Sequence, residues 1–214
     1  MLYVYGKFDR GRINPLEKTA VAAAREGIKT IAFGEADELV SDRLAGEGIA
    51  TENLAPYPPD ETELEEVCGG FTEKDAVITD LSGEIDATKF VLATAKRARA
   101  LTLLAFAAFA VPETVACACD AAVFTEEAAG EITGFELKTE VGVALAVAEL
   151  YSVGLKSVVI LLSGGGAVAA ESDRITYIDE DIADGAEFAA RFIGAILSGN
   201  GAEEAARVAA RNDF

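Results

Sequence analysis

One pattern restricts this chain more than any other: short apolar runs alternate with Ala-rich segments whose apolar residues recur at helical spacing, from one end to the other. The runs Leu2 to Tyr5, Thr30 to Phe33, Ala76 to Thr79, Ala121 to Phe124 and Ser157 to Leu162 read as strands. They carry little of the in-and-out alternation of a strand with one wet face, which predicts burial on both sides. Between them, the spacing predicts helices over Pro15 to Glu26, Asp37 to Ala45, Glu61 to Val67, Ile85 to Ala98 and Glu140 to Ser152. Two closing helices follow, Gly185 to Leu197 and Ala202 to Ala210. The stops and starts agree: Pro15 opens the first helix, Gly27 ends it, Asp37 is a cap, and Gly46 and Gly48 close the second. Ala100 to Val111 is a buried strand leading to a helix that opens at Pro112, and is too short to cross a bilayer. Thr51 to Asp60, with three prolines, is expected to be a loop. Ala167 to Ala170 and Ile175 to Ile178 flank Glu-Ser-Asp-Arg, a hairpin turn. Strand–helix alternation of this kind predicts an α/β three-layer sandwich, with a mostly parallel central sheet and helices on both faces.

Composition narrows the function classes. At 214 residues, with 51% hydrophobic content, the chain is expected to be a single globular domain over 1–214 with a substantial core. A formal charge of −19 argues against nucleic acid or an anionic membrane as partner. No His is present, which excludes Ser-His-Asp and Cys-His catalysis within this chain. Cys68, Cys117 and Cys119 form no paired spacing and predict reduced thiols in a cytoplasmic protein. Cys117 and Cys119 read as small buried hydrophobes. Met1 to Lys7 is a short strand, not a signal peptide.

Candidate chemistry concentrates in the stretch from Gly154 to Asn212. The buried strand ends on Ser163, Gly164, Gly165, Gly166 and Ala167. A charged hairpin follows, and then Asp181 to Phe188 leads into the penultimate helix. A glycine turn beside a helix N-terminus makes a phosphate-facing edge, because free backbone N–H groups hold anions. The same glycines also suit a tight turn between two strands, and both readings stand at this point.

Taken in order, several segments resemble the ribokinase, or PfkB, family of carbohydrate kinases. Ala-Val-Ala-Ala-Ala-Arg-Glu-Gly (Ala20 to Gly27) is similar to that family's first long helix. Gly34 to Thr51 resembles the segment after it, and Phe124 to Gly134 the segment carrying its Asn-x-x-Glu motif. Leu155 to Ala167 resembles the strand and turn near the nucleotide, and Glu180 to Gly199 the signature helix. The resemblance implies a ribokinase-like fold and, in an active member, ATP and Mg2+ as cofactors with a small-molecule substrate. It assigns nucleotide contact to Ser163, Gly164, Gly165, Gly166 and Gly185, and sugar contact to Asp9.

The departures are as informative. Only Lys7 to Asn14 separates the first strand from the first helix, so the family's lid sheet is not expected, nor the dimer contact that the lid provides. Ile13 to Lys18 falls where the family has its sugar-binding glycines, and carries none. The signature Asp-Thr-x-Gly-Ala-Gly-Asp, whose last Asp is the family's base, aligns with Glu180 to Ala186. Gly185 is kept, and Ala186 stands at the base position. Asp184 and Glu187 are the neighbouring carboxylates that could replace it. Thr125 and Ala128 replace the Asn and Glu of Asn-x-x-Glu. Glu126 and Glu127 are left as magnesium ligands through water, or as first-turn residues favoured by the helix dipole. Three functions remain open: a nucleotide- or metabolite-binding pseudokinase, a divergent active sugar or nucleoside kinase, and a structural subunit of an oligomer. An apolar patch left uncovered by the missing lid would favour a homodimer.

Overall fold

The computed structural model describes residues 1–11, 14–108, 110–172 and 174–211. Outside them lie Ile13 of the segment set against the sugar-binding glycines, Phe109 of the apolar run, Asp173 of the hairpin turn and Asn212. Nine strands form one sheet: β1 (Leu2–Phe8), β2 (Thr30–Ala36), β3 (Ala50–Ala55), β4 (Ala76–Thr79), β5 (Leu101–Ala105), β6 (Ala121–Thr125), β7 (Ser157–Leu161), β8 (Ala167–Glu171) and β9 (Arg174–Ile178). Their order is β3-β2-β1-β4-β5-β6-β7-β8-β9. Strands β3 to β7 run parallel; β8 and β9 are antiparallel additions. Among the described residues no strand lies outside this sheet, so none forms a lid over its edge.

The helices are α1 (Pro15–Arg25), α2 (Glu38–Gly46), α3 (Glu61–Cys68), α4 (Ile85–Arg97), α5 (Glu113–Ala116), α6 (Glu126–Thr133), α7 (Glu140–Ser152), α8 (Gly185–Leu197) and α9 (Ala202–Ala210). The pleat divides them between two faces. Leu2, Val4, Ile78, Leu103, Val123, Val159 and Ala169 point to one side, where they meet Leu16, Val40, Phe188, Phe192 and Ala205 of α1, α2, α8 and α9. Tyr3, Tyr5 and Val77 point the other way, against Leu64 of α3 and Val91 of α4. Leu104, Phe124, Val158 and Ile160 meet Val115, Ala129 and Val147 of α5, α6 and α7 on that same second side. Both faces being covered is why the strands read as unbroken apolar runs. Phe188 and Phe192 stack with ring centroids 6.2 Å apart; burying each contributes roughly 1.5–3 kcal/mol.

Three features differ from expectation, the first being that Cys117 is exposed while Cys119 alone of that pair is buried. The segment expected to be a loop contains β3. Its residues Glu52 and Asn53 are exposed because β3 is an edge strand, and its prolines fall just after it. Strands β1 and β2 also run three residues further than their apolar runs, to Phe8 and Ala36, with Gly6 paired to Gly34. Gly34 has φ of 121°, and a Cβ there would stand 2.2 Å from the Gly6 carbonyl oxygen, so only glycine lets the strands approach. Among the described residues no helix is long and apolar enough to cross a membrane.

Candidate functional site

In a parallel sheet, ligands gather at the carboxyl ends of the strands, above all where the strand order reverses. Here the chain runs outward from β1 to β2 and β3, then returns to place β4 on the other side of β1. The loops after β1, β4, β5, β6 and β7 therefore line one edge, and the helix N-termini open onto it.

The mouth of α8 is filled by the chain itself. Asp184 is the N-cap, and its Oδ1 accepts from the Ala186 amide at 2.7 Å and the Glu187 amide at 3.2 Å. Ala186 is only 6% exposed. Gly185 touches the end of β7 and the loop after β5: a Cβ there would meet Leu161 Cδ1 at 2.9 Å and the Phe106 ring at 3.6 Å. Phe106 takes φ of 58°, an expensive conformation for an aromatic residue, and so brings its ring to this mouth. The Glu187 side chain is 61% exposed and stands 3.7 Å from Arg191 Nη2.

The glycine turn after β7 is built differently. Gly165 and Gly166 have φ of 91° and 79°. The Gly165 amide donates to the Leu162 carbonyl, and the Leu162 amide to the Gly166 carbonyl, both at 3.1 Å. A Cβ on Gly166 would lie 2.4 Å from the Ile178 carbonyl oxygen, whereas one on Gly164 would meet nothing within 4 Å. The carboxylate beside the turn belongs to Asp181, 3.5 Å from the Cβ position of Gly165. Next to the turn, the Ser163 amide donates to Glu126 Oε2 at 2.7 Å. Glu126, Glu127 and Ser163 line one groove of about 550 Å3 that runs along α6 and the loop after it. Thr125 caps α6 by accepting from the Ala128 amide at 3.2 Å.

Asp9 lies elsewhere, in a groove shared with Lys7, Arg10 and Glu35 beyond β1. Lys7 pairs with Glu35 at 2.8 Å and Arg10 with Asp37 at 2.9 Å. Ser163 and Glu126 thus come together, as do Gly165 and Asp181, while Asp184 and Glu187 line a further groove between α1 and α8. Among the described residues no group of three or more His, Cys, Asp or Glu side chains could hold a metal ion.

Sequence reasoning missed Asp80 and Ser82, at the reversal point itself. Ser82 Oγ accepts from the Lys7 amide at 2.9 Å, and the Ser82 amide donates to Asp80 Oδ1 at 2.9 Å. The β4 loop is thereby stapled to β1 beside Gly6. Burial pushes the Asp80 carboxyl above its ordinary value, against the opposing hydrogen bonds from Ser82. The available signal was a polar Asp-Leu-Ser-Gly directly after an apolar strand.

Comparison with solved structures places this architecture. The ribokinase of Arabidopsis thaliana, complexed with ribose and ATP, superposes with a TM-score of 0.78 at 17% identity, covering 98% of this chain and 89% of that one. Aminoimidazole riboside kinase from Salmonella enterica, complexed with aminoimidazole riboside and an ATP analog, gives 0.74 at 10% identity, with 98% and 90% covered. Thermotoga maritima ribokinase gives 0.72 at 16% identity, with 98% and 90% covered. No protein-family model matches the sequence, and no curated protein matches it. The chain has the ribokinase-like fold.

Proposed function

We propose that this chain is a ribokinase-like pseudokinase, which binds a nucleotide or a related small metabolite without transferring a phosphoryl group. The observation that carries the reading is the mouth of α8. In the ribokinase family that the sequence resembles, free amides at that helix N-terminus hold the moving phosphate and a carboxylate takes the hydroxyl proton. Here the Ala186 and Glu187 amides are taken by the chain's own Asp184 carboxylate, and a buried methyl group stands at the base position. A negative charge already seated on those amides repels a phosphate as well as blocking it.

The nucleotide side is less altered. Gly164 has an open flank, and the groove along α6, which reaches Ser163, is large enough for a small ligand. Its acidic rim suits a nucleotide only with its charge masked, so Mg2+ would be held chiefly by the phosphates, with Glu126 and Glu127 contributing through water. Glu126 does so through its other oxygen, since Oε2 accepts from the Ser163 amide. The divergent-kinase reading, with Asp184 or Glu187 as base, requires Asp184 to leave the cap it forms.

Thermal-shift titration with ATP and ADP, with and without Mg2+, tests binding, because a ligand that prefers the folded state raises Tm. A panel of sugars and nucleosides with ATP tests turnover. The expected result is a nucleotide-dependent shift without turnover. Phosphorylated product that disappears in Asp184→Ala or Glu187→Ala would establish an active kinase instead, and no shift with any nucleotide would remove the nucleotide-binding reading. The reading carries with it a cytoplasmic protein without nucleic-acid or membrane partners; sizing in solution tests the homodimer.

A further inference from the structure

The two edges of the sheet are protected differently. At one end, β3 exposes Glu52 and Asn53, its register against β2 shifts between Ile31 and Phe33, and Pro56, Pro58 and Pro59 follow it. Charge, irregular pairing and proline all discourage an edge from pairing with another chain. At the other end, β9 reads Arg-Ile-Thr-Tyr-Ile. It has three β-branched residues and a tyrosine, which suit a paired strand. It has no proline and no carboxylate, although the chain carries a net charge of −19. The alternation of the antiparallel ladder decides which of its amides face out. The Leu162 amide donates to the Gly166 carbonyl, so Ile160–Val168 and Val158–Ala170 are the hydrogen-bonded pairs of β7 with β8. The polar groups of Ala167, Ala169 and Glu171 are then left for β9, where they meet Ile178, Thr176 and Arg174. Ile175 and Tyr177 therefore turn their N–H and C=O groups outward, and among the described residues no hydrogen bond reaches them. The Tyr177 side chain is 40% exposed.

We propose that β9 pairs antiparallel with β9 of a second copy of this chain, about a two-fold axis at Thr176, and so joins two nine-stranded sheets into one. A two-fold contact needs a surface complementary to itself, and this strand has one. About that axis Ile175 faces the partner's Tyr177, and Tyr177 faces the partner's Ile175. The outward N–H and C=O groups of both residues are then satisfied, and an aromatic side chain lies against a β-branched one. Thr176 meets the partner's Thr176, and Arg174 meets the partner's Ile178. No like charges stand opposite each other in this register. That decides between occupants of the two edges: a second copy is as acidic as the first and is repelled by a carboxylate-bearing strand such as β3, but not by β9. The contact puts the homodimer at β9 and not on the surface a lid would cover, and it is independent of nucleotide binding.

Sedimentation of the intact protein over a range of concentrations tests it. A reversible dimer with Kd on the order of 10 μM is expected, as suits a small contact. Tyr177→Pro removes an outward N–H and leaves the ladder to β8 whole, and should weaken the dimer about thirtyfold or more. Thr176→Cys reads the register directly. At the axis a pair that is not hydrogen-bonded brings its two Cα atoms to about 4.5 Å, within disulfide reach. In a Cys117→Ser background, chosen because Cys117 is exposed, Thr176→Cys should cross-link two copies on mild oxidation. Ile175→Cys, which faces the partner's Tyr177 and not its own counterpart, should not. A protein monomeric up to about 500 μM would overturn the proposal and leave the edge to a strand of a different polypeptide. A dimer that Thr176→Cys links no faster than Ile175→Cys uses another face, and overturns it whatever Tyr177→Pro does.

Discussion

The mouth of α8 and the turn after β7 are the two places where this fold could offer backbone amides to a phosphate, and they have met opposite fates. At α8 the amides of Ala186 and Glu187 are already spoken for by Asp184, and the Phe106 ring lies against Gly185. At the turn, Gly165 and Gly166 are required by their positive φ, but Gly164 has neither a positive φ nor a neighbour that a side chain would strike. A glycine run is therefore not one signal. Two of its members are explained by the hairpin, and the first is the position whose freedom the fold leaves unused. The proposed binding function rests on the second place and not on the first.

The largest expected effect separates the hairpin from the ligand. Gly166→Ala forces a Cβ against the Ile178 carbonyl oxygen at a φ of 79°, and should cost about 3 kcal/mol in urea denaturation. An unchanged midpoint would mean that the turn has another conformation and would break the contrast drawn above. Asp184→Ala should cost about 1 kcal/mol, the usual worth of a lost cap. It should also create a thermal shift with pyrophosphate that the unsubstituted protein lacks, since two amides and the helix dipole become available to an anion. If pyrophosphate stabilises both proteins equally, the mouth of α8 is not sealed by Asp184. The smallest effect on stability is the sharpest on function: Gly164→Ala should change stability by less than about 0.5 kcal/mol yet reduce any ATP-induced rise in Tm. A full ATP response in that variant would show that the nucleotide does not approach the turn.

Much of the fold was legible in the residues. The apolar runs that became β4, β6 and β7 are recognisable because helices cover both their faces, and α1, α2 and α6 begin at polar caps that the sequence displays. Strand β3 was not legible. At the sheet edge its Glu52 and Asn53 need no burial, so its pattern resembles the proline loop that follows. In the site, the sequence isolated Asp184, Ala186 and the glycine run, but could not show what Asp184 does with its oxygens. Nor could it reveal that Asp181 reaches Gly165, or that Ser163 donates to Glu126 across two strand ends. Asp80 and Ser82 escaped because their importance comes from lying beside Gly6, seventy-odd residues earlier in the chain.

The sequence by itself determined that strands and helices alternate, that α8 begins at Gly185, and that an alanine, Ala186, stands beside Asp184 and Gly185 at its mouth. These are local matters of periodicity, capping and side-chain chemistry, which neighbouring residues settle among themselves. Only the tertiary structure decided where the strand order reverses, which carboxylate faces the glycine turn, and that the buried Glu17 pairs through one oxygen with Arg43 of a different helix. Those depend on packing between residues far apart in the chain, where burial makes each unpaired charge costly and geometry decides which partner is within reach.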